Sequence, residues 1–410
     1  MKQSIFTLLG VIISLSASAQ NYRYTNRIFN NVTITEDVVY TNAPQINAGA
    51  YGIYHDESNT TGIGLKMDIY RPTGDTLTNR PAIIFVHGGA FISGNRKHDD
   101  MLAFCDTFAL KGYVTATIQY RQGMNATNAA SATRAVYRGL QDGRSAVRFL
   151  RENAATYGIA PGHIYMAGSS AGGFVALQAI YMDDVSEKPV EAGAYQYNDP
   201  TDLIPPYNQI TAPDLGDYDI GDFPGQNGKP DAIMSLWGAV RHSDLITADD
   251  TTPVFLVHGT VDGIVPFGIG FPFNVPVFPP TYGSNEINKK LNNLNFTNKG
   301  TYFVAGEGHE FYGVSNGMWS NGTGGNTYWD TIVNKAVNFF YQQHKPDANF
   351  TYTKNNLEVV FTNTSKGASS WFWDFGDTNT STGENPVHTY VSAGTYRVRL
   401  YIGDSINSWD

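Results

Sequence analysis

Six short apolar runs alternate with helix-like spacing between Pro81 and His344, and this rhythm narrows the fold of the chain more than any other feature. The runs are Ala82 to Val86, Val114 to Gln119, Ile164 to Ala167, Ala232 to Leu236, Val254 to Val257 and Thr301 to Val304. Runs this short and apolar read as strands buried on both faces. Strands separated by helical crossovers lie parallel in one sheet, because the crossover returns the chain to the same end. Between the second and third runs Val136, Leu140, Gly143, Val147, Leu150 and Ala154 recur at spacings of four and three. That stripe predicts one long helix packed on the sheet, with Arg138, Arg148 and Arg151 on the opposite stripe. The expected fold class is α/β with a mainly parallel sheet.

Two stretches interrupt the rhythm. Residues 183 to 230 hold seven prolines without periodicity, which is too long for a plain connector and predicts an insertion near the site. Inside it Asp214, Asp217, Asp219 and Asp222 cluster with Gly216 and Gly221; oxygen-rich loops of this kind can hold calcium, but the spacing is not that of a helix-loop-helix site and a solvated acidic loop is the favoured reading. Residues 266 to 283 interleave Phe267, Phe271, Phe273 and Phe278 with prolines, a rigid aromatic loop that either walls an apolar pocket or caps the core. From Lys345-Pro346-Asp347 onward the chain reads as short strands with Asn, Gly and Thr turns, a second, all-β domain.

A chain of 410 residues accommodates both units with ample core. With 27 Lys plus Arg against 37 Asp plus Glu the formal charge is -10 and no basic run occurs, which argues against nucleic acid and anionic membrane as partners. The single Cys105 permits neither an intrachain disulfide nor a cysteine zinc cluster. Lys2, the apolar run Ile5 to Leu15 and Ala17-Ser18-Ala19 before Gln20 match a secretory signal peptide over 1–19, and no other segment approaches transmembrane length. The expected organisation is therefore a signal peptide, a catalytic domain over 20–345 and a β-domain over 346–410, exported to the periplasm, cell surface or medium.

Chemistry concentrates where the runs end. Gly168-Ser169-Ser170-Ala171-Gly172 follows a strand-like run and opens the helical pattern Phe174 to Met182, the strand, sharp turn and helix that a nucleophile elbow requires. By position in the motif Ser170 is the nucleophile and Ser169 its neighbour. Serine attacks only if a base removes its proton. His309, reached through Gly306-Glu307-Gly308 after the run Thr301 to Val304, is the expected base, and Asp262, directly after the run Val254 to Val257, the expected orienting acid. Asp244, Asp249 and Asp250 are rivals, but they precede that run rather than follow it. His87-Gly88-Gly89-Ala90-Phe91 follows the first run; with Ala171, the backbone N–H groups of Gly89 and Ala90 are the expected donors to the oxyanion of a tetrahedral intermediate. His87 reads as a brace for that loop rather than as a base. No metal or cofactor is needed for this chemistry.

With HGGAF, GSSAG, HGTVD and GEGHE in this order, the stretch from about Gly64 to His344 resembles the α/β-hydrolase esterases of the carboxylesterase and hormone-sensitive-lipase-like kind, most of all secreted bacterial acetylxylan and feruloyl esterases. Ala90 departs from their third glycine. The C-terminal Trp373-Asp374-Phe375-Gly376-Asp377 with His388-Thr389-Tyr390 is similar to PKD domains, immunoglobulin-like β-sandwiches, although the last strand of such domains is short or missing here. The resemblance implies a secreted serine esterase acting on short-chain or aromatic acyl esters of polysaccharide, with the β-domain as a contact to polysaccharide or cell surface. A serine peptidase or lipase of the same fold, and an adhesion or glycan-binding protein with a vestigial hydrolase domain, are the alternatives.

Overall fold

The computed structural model of the protein describes residues 23–48, 55–125, 128–199, 202 and 204–410. The expected signal peptide lies outside the described residues.

Eight strands form one sheet: β1 (Val32–Ala48), β2 (His55–Pro72), β3 (Arg80–Val86), β4 (Val114–Ile118), β5 (Ile159–Ser169), β6 (Ala232–Leu236), β7 (Val254–Gly259) and β8 (Lys299–Val304). Their order across the sheet is β1-β2-β4-β3-β5-β6-β7-β8. From β4 to β8 every pairing is parallel, while β1 and β2 form an antiparallel pair that joins the sheet through β2 and β4. The six apolar runs correspond to β3 through β8. Those of β3 to β7 are buried because helices cover both faces, so no polar alternation marks them, while β8, the edge strand, is only half-buried. β1 and β2 escape that logic. As an antiparallel pair at one edge they keep Thr33, Asn42, Asn59 and Thr60 exposed and carry no continuous apolar run.

On one face, helix α1 (Asp99–Ala109) and helix α5 (Thr327–Gln342) cover a core that includes Phe85, Phe104, Phe108, Tyr165, Trp237 and Phe340. On the other, helix α2 (Ala129–Glu152) and helix α3 (Ala171–Tyr181) pack together, α3 with every residue buried. Helix α4 (Ser284–Asn293) sits beside β7. The stripe from Val136 to Leu150 faces inward as expected, while Ala154 falls in a separate four-residue helix after α2 ends at Glu152. At Gly139 and Gly143 a Cβ would lie 2.8 Å from the Phe91 ring and 2.6 Å from Val175, so these two glycines let α2 approach its neighbours.

The opposite stripe is not a solvated face. Arg134, Arg138 and Arg148 are almost wholly buried, Arg134 and Arg148 against the 183–230 insertion and Arg138 against Glu57 and the Gly123 carbonyl. Arg134 donates to the carbonyls of Glu191, Gly193 and Pro213, and Glu57 from β2 receives both Arg134 Nε (2.5 Å) and Arg138 Nη1 (2.9 Å). The acidic cluster of the insertion answers the same stripe: Asp219 takes Arg144 at 2.7 Å and Arg148 at 2.6 Å, and Asp214 pairs with Lys188. Asp222 instead accepts the N–H of Asn42 from β1. Among the described residues no group of three or more His, Cys, Asp or Glu could hold a metal ion. The prolines and aspartates thus serve an irregular layer that is fastened to a helix by guanidinium groups, whose forked donors suit carbonyls and carboxylates alike.

Beyond α5 lie two three-stranded antiparallel sheets, ordered β9 (Phe350–Asn355), β10 (Glu358–Asn363), β13 (Val387–Thr389) and β12 (Thr380–Ser381), β11 (Ser370–Asp374), β14 (Arg399–Gly403). Between them Phe361, Trp373, Phe375, Tyr390, Leu400 and Ile402 make a small aromatic core. The motif residues are explained by it. Phe375 stacks on His388 at 4.2 Å, His388 Nε2 meets Asp377 at 2.8 Å, and Tyr390 Oη donates to the Phe375 carbonyl. After β14 the chain returns to the larger domain, where Tyr24 Oη donates to the Ile406 carbonyl and Ser408 Oγ meets His344 Nδ1.

Candidate active site

Ser170 stands between β5 and α3 with φ 55° and ψ −116°, a conformation that costs energy for any residue with a Cβ. Its surroundings over-determine it. The N–H of Ser170 donates to the Leu236 carbonyl at 3.0 Å, and its own carbonyl receives Phe174 N–H at 3.1 Å. A Cβ on Gly168 would lie 2.0 Å from the Gly172 carbonyl oxygen, and one on Gly172 would lie 2.0 Å from that of Val86. The two glycines of the motif are therefore demanded by backbone meeting backbone. Ser169 points the other way: it is fully buried, and Trp237 Nε1 donates to its Oγ at 3.0 Å.

Three strand ends converge on Ser170. His309 Nε2 lies 2.9 Å from Ser170 Oγ, and His309 Nδ1 lies 2.7 Å from Asp262 Oδ2. A carboxylate only accepts, so Nδ1 carries the proton, and Nε2 is left to accept from the serine hydroxyl. Asp262 is fully enclosed. Its Oδ1 receives the N–H groups of Ile264 (2.8 Å) and Val265 (3.0 Å), and its Oδ2 also faces His258 Nε2 at 3.3 Å. Burial alone would raise this carboxyl, but hydrogen bonds from His258 and His309 hold it well below the usual carboxylate range. The loops carrying Asp262 and His309 touch directly: a Cβ on Gly259 would lie 2.2 Å from the Glu307 carbonyl oxygen. Tyr328 of α5 steadies the histidine loop through Glu307. None of the rival acids meets His309. Asp244 is largely exposed beside His242 and Lys290, Asp249 is exposed, and Asp250 accepts the Thr247 N–H.

The HGGAF loop crosses the same site. Gly89 has φ +119°, where a Cβ would lie 2.1 Å from the Ser93 oxygen, and Ala90 and Phe91 follow with φ of 54° and 58°. Ala90 thus occupies the left-handed region that a third glycine would take without strain. The N–H groups of Gly89, Ala90 and Ala171 have no hydrogen-bond partner among the described residues. His87 is buried, stacks on Tyr120 at 4.4 Å and turns Nδ1 to the Gly88 carbonyl. Burial pushes its imidazole down to about 3, so it braces the loop as a neutral ring.

Ser170, Ala90 and Ala171 open onto a cavity of about 100 Å³. Phe91, Leu140, Phe174, Ile264, Phe273 and Phe278 make its walls predominantly apolar. The aromatic loop after Asp262 therefore walls a pocket. From the insertion, Pro189 reaches the lining.

Residues 67–210 match the BD-FAE family model and residues 342–409 the PKD domain model. The chain joins an α/β-hydrolase domain to a PKD domain. A 113-residue segment is 34% identical to mouse (Mus musculus) Carboxylesterase 1D and covers 27% of this chain and 19% of that protein. Over 130 residues the chain is 30% identical to Secreted lipase 5 of Gibberella zeae, covering 29% of this chain and 24% of the relative. The matches thus span about a fifth to a quarter of these relatives' own length. Among solved structures, Thermogutta terrifontis esterase 2 phosphonylated by sarin aligns with a TM-score of 0.46 at 18% identity, over 78% of this chain and 96% of that one.

Several residues of the hydrolase domain's site carry no motif of their own. Trp237, with φ 41°, lies 5.9 Å from the His309 ring and supports Ser169. Glu310, next to the histidine and buried, accepts the Asn316 N–H at 2.6 Å; burial raises its carboxyl above the ordinary range. Phe311, Tyr312 and Trp319, the aromatic residues that follow His309, do not line the cavity. Phe311 and Tyr312 pack against Trp237, and Trp319 against Trp329. A periodicity argument misses this because a loop after a sheet edge folds back into whichever core lies beneath it.

Proposed function

We propose that this protein is a secreted carboxylic ester hydrolase that works through Ser170, His309 and Asp262. Ser170 Oγ attacks the ester carbonyl while His309 Nε2 takes its proton; the alcohol leaves with that proton, and water, activated by the same nitrogen, releases the acid. Asp262 fixes the tautomer and stabilises the imidazolium. Negative charge on the carbonyl oxygen falls toward the unclaimed N–H groups of Gly89, Ala90 and Ala171, and preorganised donors of this kind each contribute about 3 kcal/mol to the barrier reduction. The observation that carries the reading is the continuous Asp262–His309–Ser170 relay opening on a cavity with two of those donors in its wall. The apolar walls fit a short-chain or aromatic acyl group, and the described residues of the insertion, whose helical turns are single and short, form no helical, greasy lid, which favours such esters over long-chain triglycerides. Polysaccharide as the alcohol, and the PKD domain as its contact, belong to the same proposal. No helix among the described residues is long and apolar enough to cross a membrane.

Labelling with a fluorophosphonate probe, together with hydrolysis of phenyl acetate, tests the assignment. Wild type and Ser169→Ala should label and turn over, whereas Ser170→Ala should do neither while keeping its circular dichroism. Turnover by Ser170→Ala at the wild-type rate would refute the reading.

A further inference from the structure

Glu310 follows His309 directly and is turned inward, with its backbone in the left-handed region at φ 52° and only 8% of the residue exposed. Its Oε2 accepts the Asn316 N–H at 2.6 Å, and its carboxyl also takes the Gly317 N–H. These donors form the tight turn of a hairpin that pairs Val314–Ser315 with Met318–Trp319. The hairpin is fixed to the start of α1: the Asp100 N–H donates to the Gly317 carbonyl at 3.3 Å, and the Trp319 N–H to Asp99 Oδ2 at 2.9 Å. Oε1 of Glu310 faces the site instead. It lies 3.7 Å from where a Cβ on Gly88 would stand, a point 3.2 Å from Ser170 Cβ.

A charge taken out of water without a partner is costly, so buried carboxylates are ordinarily paired. Glu57, Asp68 and Asp142 obey that rule, each with an arginine. Glu310 does not: among the described residues no Lys or Arg pairs with it. Asp100 has no cation either, and burial, with a smaller push from Glu310, raises its carboxyl to about 7. Neighbouring carboxyls do not ionise independently, and here Asp100 is the one that keeps its proton. Burial pushes the Glu310 carboxyl up as well, but His309 and the two turn N–H groups draw it back toward ionisation. The titratable groups around Glu310 are His309 and Tyr312 on its own loop, Asp262 after β7 and Asp100 of α1. His87 and His98, behind Gly88 and Gly317, are held below the ordinary imidazole range by burial and stay neutral. Only His309 can become the missing cation.

We propose that Glu310 is a positioning residue that acts through His309, holding beside it a buried carboxylate whose partner is the imidazolium formed when Ser170 gives up its proton. The inference rests on the esterase reading and adds a second acid to it. In the resting enzyme the imidazole is neutral and the charge on Glu310 is uncompensated. In the transition state His309 Nε2 has taken the serine proton, and Asp262 and Glu310 both face a cation. An attraction that arises only there lowers the barrier without tightening the binding of substrate. The two acids differ in kind: Asp262 fixes the tautomer through Nδ1, whereas Glu310 makes no hydrogen bond to the ring and contributes charge alone.

The test compares Glu310→Gln with Glu310→Asp on phenyl acetate from about pH 5 to 9, a range that brackets histidine titration. Glutamine keeps an acceptor for the turn and loses the charge; aspartate keeps the charge. Loss of a negative neighbour disfavours the protonated imidazole, so in Glu310→Gln the acid limb of kcat/KM should move to lower pH by about one unit. One unit is a tenfold factor, so kcat on the plateau should fall about tenfold. Thermal unfolding should show no loss of stability at pH 8, since an unpaired buried charge has been removed. Glu310→Asp should leave the limb where wild type has it. Asn and Asp enter left-handed backbone readily, so Glu310→Asn against Glu310→Asp repeats the comparison if the glutamine variant does not fold. A limb that stays in place when the charge is lost, whatever becomes of kcat, or that moves equally in Glu310→Asp, would overturn the proposal while wild-type hydrolysis of phenyl acetate kept the esterase reading intact. Wild-type protein that leaves phenyl acetate unhydrolysed would overturn both.

Discussion

Asp262→Asn keeps the size and shape of the native side chain and changes only which atoms can donate. In the native site Oδ1 accepts two backbone N–H groups and Oδ2 accepts from His309 Nδ1. His258 Nε2 faces Oδ2 and the Val265 carbonyl, both acceptors, so it too carries a proton, and its Nδ1 accepts from Ser284 Oγ at 2.8 Å. An amide has one acceptor and one donor end, and no orientation satisfies four donors. With NH₂ toward the histidines, His309 must place its proton on Nε2, which then faces Ser170 and cannot act as base. With NH₂ toward Ile264 and Val265, two donors confront two donors in a buried turn. The first arrangement should lower kcat by about 10⁴, equal to about 5.5 kcal/mol of barrier at 1.36 kcal/mol per decade. Either arrangement leaves a buried donor unmade at about 1–3 kcal/mol, a fall of several degrees in Tm for a domain of this size. The native carboxyl is also depressed relative to its unfolded value of about 3.9. Its stabilisation is therefore present above that pH and is lost as pH falls through the folded value, so the variant should lose part of the acid-side decline in stability. Phenyl acetate kinetics at neutral pH and thermal unfolding from pH 1.5 to 8 measure both effects, with Asp244→Asn, a largely exposed group, as control. A variant whose kcat stays within about tenfold of wild type would refute this account and turn attention to Glu310, the other carboxyl beside His309.

Asp100 is fully buried beneath the site and receives Tyr312 Oη at 2.5 Å and the Met101 N–H at 2.8 Å, and burial raises its carboxyl to about 7. The folded state then holds a proton that the unfolded chain releases near pH 3.9, so stability declines as pH rises between those values, by at most about 4 kcal/mol. Asp100→Asn should flatten that decline and raise Tm at pH 8; an unchanged Tm profile would show the carboxyl to be ionised in the fold. Cutting the chain after Lys345 removes the Ile406 carbonyl from Tyr24 and the Ser408 hydroxyl from His344, a buried aromatic cluster with Tyr113 and Tyr165. Tyr165, the member of that cluster on β5, lies five residues ahead of Ser170, and none of the cluster touches the triad, so Tm should fall while kcat on phenyl acetate, measured below the transition, stays near wild type. A collapse of turnover in the folded fragment would mean that the domains share the site.

Features set by local backbone geometry were legible in the chain. Five of the apolar runs announce β3 to β7 because a strand buried on both faces has no room for polar alternation, and the sixth marks β8 at the half-buried edge. Gly168 and Gly172 announce the turn at Ser170 because any Cβ there would strike a carbonyl, a constraint carried by the residues themselves. The order of Ser170, Asp262 and His309 follows from the same parallel sheet, which delivers every loop to one edge. Nothing local decided where the arginine stripe of α2 would point. Spacing separates one side of a helix from the other but does not say whether water or another segment covers it, and here the carbonyls and Asp219 of a distant insertion meet Arg134, Arg144 and Arg148. The same holds for the cavity. Phe273 and Phe278 wall it and Phe311 does not, and Gln178 lines it two turns beyond the serine. These neighbours lie tens to more than a hundred residues apart in sequence, and only packing, which trades one apolar surface against another without regard to chain distance, brings them face to face.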